Sequence, residues 1–95
     1  MKTNIDQIRH KVLPILKEAG VTRSSLFGSY VRGENRIDSD IDMLVDLPKG
    51  KSLFDLVDLK IKLEEALNTE VDVLTYDSLS PYLREYILRE QVPIL

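Results

Sequence analysis

A chain of 95 residues has room for one domain, read here as spanning residues 1–95, and buries roughly 60–65% of the surface its unfolded form exposes. Its hydrophobic fraction of 43% and charged fraction of 31% are ordinary for a globular protein, and the lack of cysteine excludes disulfides, thiolate zinc sites and a thiol nucleophile. A net charge of -3 without any lysine/arginine block argues against direct nucleic-acid binding; a polar N-terminus and no apolar run near the roughly 18–20 residues of a membrane span predict a cytoplasmic chain with no membrane contact.

Ile5, Ile8, Val12, Ile15, Leu16 and Ala19 recur at helical spacing, which predicts a first helix from about Asn4 to Ala19 with Gly20 as its stop. Pro14 lies inside that pattern and removes a backbone donor, so a kink or break is expected near Leu13. A first strand follows over Val21 to Phe27 and is interrupted by Gly28-Ser29, after which Ser29 caps a short helix through Arg32 that Gly33 closes. Glu34 to Ser39 reads as a polar loop, and Asp40 to Asp46 as a second strand.

Pro48-Lys49-Gly50 is a turn. Ser52 opens the next helix, with Asp55 three residues on in capping-box position. That helix carries one stripe of Leu56, Leu59, Leu63, Ala66 and Leu67 and a second of Leu53, Val57 and Ile61, with Asn68 as its stop. The second stripe is expected to pack inward in part; any of it left exposed would mark a protein–protein surface. Glu70 to Thr75 alternates as a third strand, Val71, Val73 and Thr75 on one face and Glu70, Asp72 and Leu74 on the other. Ser80-Pro81 starts the last helix. Strands interleaved with helices predict an α/β layer on a small sheet of three or four strands.

The chemistry concentrates at Gly28-Ser29, then ten residues, then Asp40-Ile41-Asp42. Without a Cβ, Gly28 lets a phosphate approach the main chain. Ser29 adds a hydroxyl and the free N–H groups of a helix start, where anions bind, and Arg32 adds a charge-assisted contact. Asp40 and Asp42, two residues apart in an extended strand, project from one side and repel unless a proton or cation lies between them. Taken alone, Gly-Ser is a strand-to-helix turn and Asp38-Ser39-Asp40 a solvated one. The buried-looking run Met43-Leu44-Val45 right after Asp42 shifts the reading, because acids entering an apolar strand are costly unless paired or metal-bound. Asp72 joins them if its strand pairs beside Asp40–Asp46. Three converging carboxylates suit two-metal phosphoryl transfer, with Mg²⁺ held against a nucleoside triphosphate.

Asp46 and Asp77 are weaker rivals, nearer strand ends or turns. His10, between Arg9 and Lys11, reads as solvent-facing and Met43 as core filling. Tyr30, Tyr76, Tyr82 and Tyr86 read as half-buried packing with hydroxyls in water.

At this point the residues match a family. Gly28-Ser29-Tyr30-Val31-Arg32-Gly33-Glu34 followed by Asp38-Ser39-Asp40-Ile41-Asp42-Met43-Leu44-Val45 resembles the minimal nucleotidyltransferases of the DNA polymerase beta superfamily. The resemblance covers the whole chain and implies a polymerase-beta-like core, a small mixed β-sheet with helices packed on it. By position it makes Asp40 and Asp42 the metal-binding pair, Asp72 the third carboxylate, Gly28 and Ser29 the triphosphate grip and Arg32 its arginine. Tyr30, Val31 and Ile37 depart from the family's usual residues, and none of them removes a catalytic group. Minimal nucleotidyltransferases are commonly paired with a helical HEPN-domain ribonuclease toxin. The implied role is an antitoxin that transfers AMP from ATP to a tyrosine of that toxin, with two Mg²⁺ ions, in a homo- or hetero-oligomer. Two other readings remain: a binding module that neutralises its partner by occlusion, and a small-molecule nucleotidyltransferase whose dimer completes an acceptor pocket.

Overall fold

The computed structural model describes residues 5–28, 31 and 41–95. Among them are three α-helices, four strands and a 3-10 turn. They run in the order α1 (Ile5–Glu18), β1 (Arg23–Phe27), β2 (Ile41–Asp46), α2 (Leu53–Leu67), β3 (Val71–Thr75), the turn Tyr76–Ser78, α3 (Pro81–Glu90) and β4 (Val92–Pro93).

Helix ends follow local chemistry. At the C-terminus of α1 the N–H of Gly20 donates to the Lys17 carbonyl at 3.1 Å and that of Val21 to Leu16 at 3.0 Å, closing a Schellman motif. Val21 is spent on that cap, so β1 begins at Arg23 rather than Val21. The expected break at Pro14 is absent: α1 runs unbroken from Ile5 to Glu18. Pro14 lies on the exposed side of the helix, where water can satisfy the carbonyl that loses its donor. At the start of α2 the Ser52 N–H donates to Asp55 Oδ2 at 2.8 Å, and Asn68 ends the helix in the left-handed region at φ 54. Ser80 Oγ accepts from the Leu83 N–H at 3.3 Å to open α3.

The sheet order is β3-β2-β1-β4. β1 pairs antiparallel with β2 and β4, and β2 parallel with β3, so the sheet is mixed. The fourth strand is the C-terminal tail, read from sequence only as an ending. It is two residues long, too short for periodicity, and Pro93 sits at the sheet edge where its missing donor does no harm. Ile94 N–H donates to Ser24 at 2.8 Å and anchors it.

Both faces of the sheet are covered. On one, Leu26, Ile41, Met43, Val45 and Val71 meet Ile8, Val12 and Leu16 of α1 and Leu59 and Leu63 of α2. On the other, Phe27 and Leu44 meet Tyr76, Leu79 and Ile87 in a smaller cluster. The second stripe of α2 is covered only in part: Leu53 is 73% exposed and Val57 and Ile61 each 48%, and Phe54 beside them is 85% exposed.

Where β3 begins, α2 grips its outer edge. Ile41 N–H bonds the Glu70 carbonyl at 3.0 Å, so the residues facing β2 are 70, 72 and 74, while Val71 points its polar backbone outward. Glu64 Oε2 accepts the Val71 N–H at 3.1 Å, Lys60 Nζ donates to the Val71 carbonyl at 2.8 Å, and Lys60 and Glu64 pair at 3.2 Å.

The Val71 N–H, followed by Lys60, holds the Glu64 carboxyl below its ordinary pKa. The Ser52 N–H does the same for Asp55. A carboxyl whose folded pKa is depressed contributes stability that is complete above its unfolded value and lost as pH falls through the folded one. Glu64→Gln should therefore lose less stability than wild type between about pH 6 and about pH 3, measured as urea midpoints. Parallel curves for the two proteins would contradict this assignment.

Candidate active site

Pairing across the sheet sets one rung of three residues. Phe27 stands opposite Asp42 in the antiparallel pair, and Asp42 stands beside Asp72 in the parallel pair. Residues on one rung direct their side chains to the same face. Asp42 and Asp72 are therefore lateral neighbours, at the open end of the face that carries Phe27 and Leu44. Asp42 is half-buried and Asp72 exposed.

The turn after β1 closes against the same spot. Gly28 has φ +83, and a Cβ placed there would lie 3.0 Å from Asp42 Cγ, with Asp42 Oδ2 nearer still. The main chain of the turn thus rests on the Asp42 carboxylate, and only glycine allows both the approach and the left-handed backbone. Val31 N–H donates to the Gly28 carbonyl at 3.2 Å and closes the turn. Of the six residues singled out from sequence, the fold brings Gly28, Asp42 and Asp72 together. Ser29, Arg32 and Asp40 lie outside the described residues, as does Tyr30.

The rivals sit elsewhere. Asp46 is the exposed last residue of β2, opposite Arg23. Asp77 is in the 3-10 turn beyond the other end of β3, and it too is exposed. His10 is on the solvent side of α1.

Two features escaped sequence reasoning. Tyr76 is 6% exposed, and its hydroxyl is not in water as expected: it hydrogen-bonds the buried Ser25 hydroxyl at 2.8 Å, while Arg23 stacks 4.4 Å from the ring centroid. This packing supports the floor below the carboxylate rung. The second feature is the Lys60–Glu64 grip on Val71. Its only sequence signal is an i, i+4 Lys/Glu pair, which ordinarily reads as a solvated helix face.

Two adjacent carboxylates offer hard oxygen donors, the kind that Mg²⁺ prefers, and their mutual repulsion favours a cation between them. The residues present therefore fit a divalent ion. Among the described residues no group of three or more acidic, histidine or cysteine side chains gathers to hold a metal, and Asp40, one of the three expected carboxylates, lies outside them. Also among the described residues, no helix is long and apolar enough to cross a membrane.

The family profile described as "Nucleotidyltransferase domain" matches residues 9–94. A curated relative from Methanocaldococcus jannaschii, named "Putative protein adenylyltransferase MJ0435", is 55% identical over 92 residues, covering 97% of this chain and 99% of its own. The solved structure named "Structure of putative minimal nucleotidyltransferase" superposes with a TM-score of 0.80 at 44% identity, over 90% of this chain and 87% of that one. Another, "Crystal structure of the toxin-antitoxin with AMP-PNP", has a TM-score of 0.80 at 26% identity, over 92% of this chain and 72% of that one.

Contact between Gly28 and Asp42 can be isolated by mutation. Gly50 also has a positive φ, +93, but a Cβ there meets nothing within 4 Å. Gly50→Ala should report backbone strain alone, about 1 kcal/mol. Gly28→Ala should cost about 1–2 kcal/mol more by denaturant unfolding, and that excess should shrink when Asp42 is also alanine. Equal costs at the two glycines would remove the contact.

Proposed function

The chain belongs to the nucleotidyltransferase-domain family, and on that premise we propose that it transfers AMP from ATP to a hydroxyl, that of a tyrosine, on a partner HEPN ribonuclease toxin. The observation that carries this reading is the rung that sets Asp42 beside Asp72, with the Gly28 turn resting on Asp42. A phosphate held at that turn is next to the carboxylates that must act on it.

The proposed mechanism assigns each residue a task. Gly28 admits the triphosphate to the main chain, and Ser29 and Arg32 hold it by hydrogen bond and charge. Asp40, Asp42 and Asp72 would hold divalent cations, which when bound neutralise the phosphate charge. Asp72, exposed on the acceptor side, accepts the proton as the acceptor oxygen bonds to the α-phosphorus. The bond from that phosphorus to the bridging oxygen breaks, and pyrophosphate carries its electron pair away. Positioning and charge neutralisation supply most of the rate.

Support for the partner comes from the relatives. One is named a protein adenylyltransferase, and a similar fold occurs in a toxin–antitoxin structure with AMP-PNP. The exposed stripe Leu53, Phe54, Val57 and Ile61 agrees with a chain that works against another protein.

Incubating the purified chain and its HEPN partner with ATP and Mg²⁺ should raise the partner's mass by one or more adenylate units. Asp42→Asn should slow this by roughly 10³-fold or more and abolish neutralisation with it. Neutralisation that survives Asp42→Asn without any mass gain would establish occlusion instead.

A further inference from the structure

Asp72 occupies an awkward place. It is the second residue of β3, β3 is the edge of the sheet, and the neighbouring rung position on β2 is another carboxylate. Edge strands fray from their ends, and repulsion between the two acids pushes the start of β3 away from β2. The backbone of Asp72 faces β2, near the end at which the parallel register begins with the Ile41–Glu70 bond.

The residue before Asp72 has a different kind of support. The outward N–H and carbonyl of Val71 are both taken by side chains of α2, Glu64 and Lys60, which also bond each other. The three hydrogen bonds form a closed ring through the Val71 peptide groups. The helix bearing them is fixed to the core by Leu59 and Leu63, 1% and 0% exposed, one position before Lys60 and one before Glu64. The Val71 side chain is itself fully buried against the same core. Val71 is therefore locked on its side-chain face and along its outer edge.

We propose that Lys60 and Glu64 are positioning residues for the reaction: they hold the start of β3 against α2 so that the Asp72 carboxylate stays beside Asp42 despite their repulsion. The proposal rests on the reading of Asp42 and Asp72 as divalent-cation ligands, and it deepens that reading by naming what keeps the pair together. Neither residue touches substrate; each acts through the Val71 backbone.

Two measurements on the full chain test it. The first is amide hydrogen exchange without metal. Glu64→Ala should speed exchange at Asp72 at least about 10-fold while leaving Leu26 and Leu44, whose N–H groups face away from β3, unchanged. Glu64→Gln, which keeps an oxygen for the Val71 N–H, should restore most of the protection. The second is direct titration with Mn²⁺, followed by calorimetry, where Glu64→Ala and Lys60→Ala should weaken binding at least about 10-fold and Glu64→Gln should recover most of it.

Lys62→Ala is the control. It removes an i, i+4 pair with Asp58 at 3.1 Å on the same helix and should change neither readout. Unchanged Asp72 exchange in Glu64→Ala, or an equal change in Lys62→Ala, would overturn the proposal. So would unaltered Mn²⁺ affinity in the Glu64 and Lys60 variants. If wild type itself binds no Mn²⁺, the cation reading of the site fails, while the exchange measurement still decides whether the grip holds Asp72.

Discussion

The structure turns on the parallel pairing of β2 with β3, which lays one carboxylate beside another. Two unit charges about 5 Å apart repel by about 1 kcal/mol in water and by several-fold more where the effective dielectric is lower. Nothing about a small sheet favours that arrangement in itself. It persists because the opposite face of the same strands is apolar and fully covered: Ile41, Met43 and Val71 are packed under α1 and α2. A one-residue slip of β3 would turn Val71 toward solvent and Asp72 into the core. The register that hides Val71 is the register that pairs the acids.

The pairing of Asp42 with Asp72 is thus a by-product of burial on the other side of the sheet. The same logic orders the rest of the fold. The outer edge of β1 is covered by a two-residue strand whose Pro93 carbonyl is taken by Arg9 of α1 at 2.8 Å. The edge at β3 is covered at its start by Lys60 and Glu64 and near its end by Ser78, whose hydroxyl donates to the Thr75 carbonyl at 2.8 Å. The smaller cluster around Leu44 and Tyr76 fills the face that carries Asp42 only part-way along the strands. Among the described residues, that cluster does not reach the end with Asp42 and Asp72.

Local signals were legible in the sequence and distant ones were not. Gly20, the Ser52–Asp55 pair, Asn68 and Ser80-Pro81 each act on backbone groups within a few residues, so their types and spacing state their roles. The alternation of Val71, Asp72, Val73 and Leu74 stated which face each would take, and the apolar run after Asp42 marked β2. Pro14 misled because its cost depends on which side of α1 it occupies, and only packing decides that. Tyr76 misled for a similar reason: its partner, Ser25, is 51 residues away in the chain. The grip on Val71 joins positions seven and eleven residues apart, across a helix end and a loop. No period reports such a contact. How much of the second α2 stripe stays open was not legible, because two adjacent apolar stripes on a helix do not reveal how far the sheet will cover each.

What this small scaffold supplies also defines what it leaves to others. One wall of the site is Phe27, 9% exposed, one side is the Gly28 turn, and the floor is the sheet; on the side of Asp72 the site opens to solvent. Attack on a phosphorus requires the hydroxyl to be held in line and water to be kept from competing. Among the described residues, a small acceptor would meet few surfaces able to orient it. An acceptor carried on a folded protein arrives with its own orientation already set by that fold, and its bulk excludes water from the open side. On the proposed reading the chain fixes the nucleotide and the acids, and the partner's surface completes the enclosure.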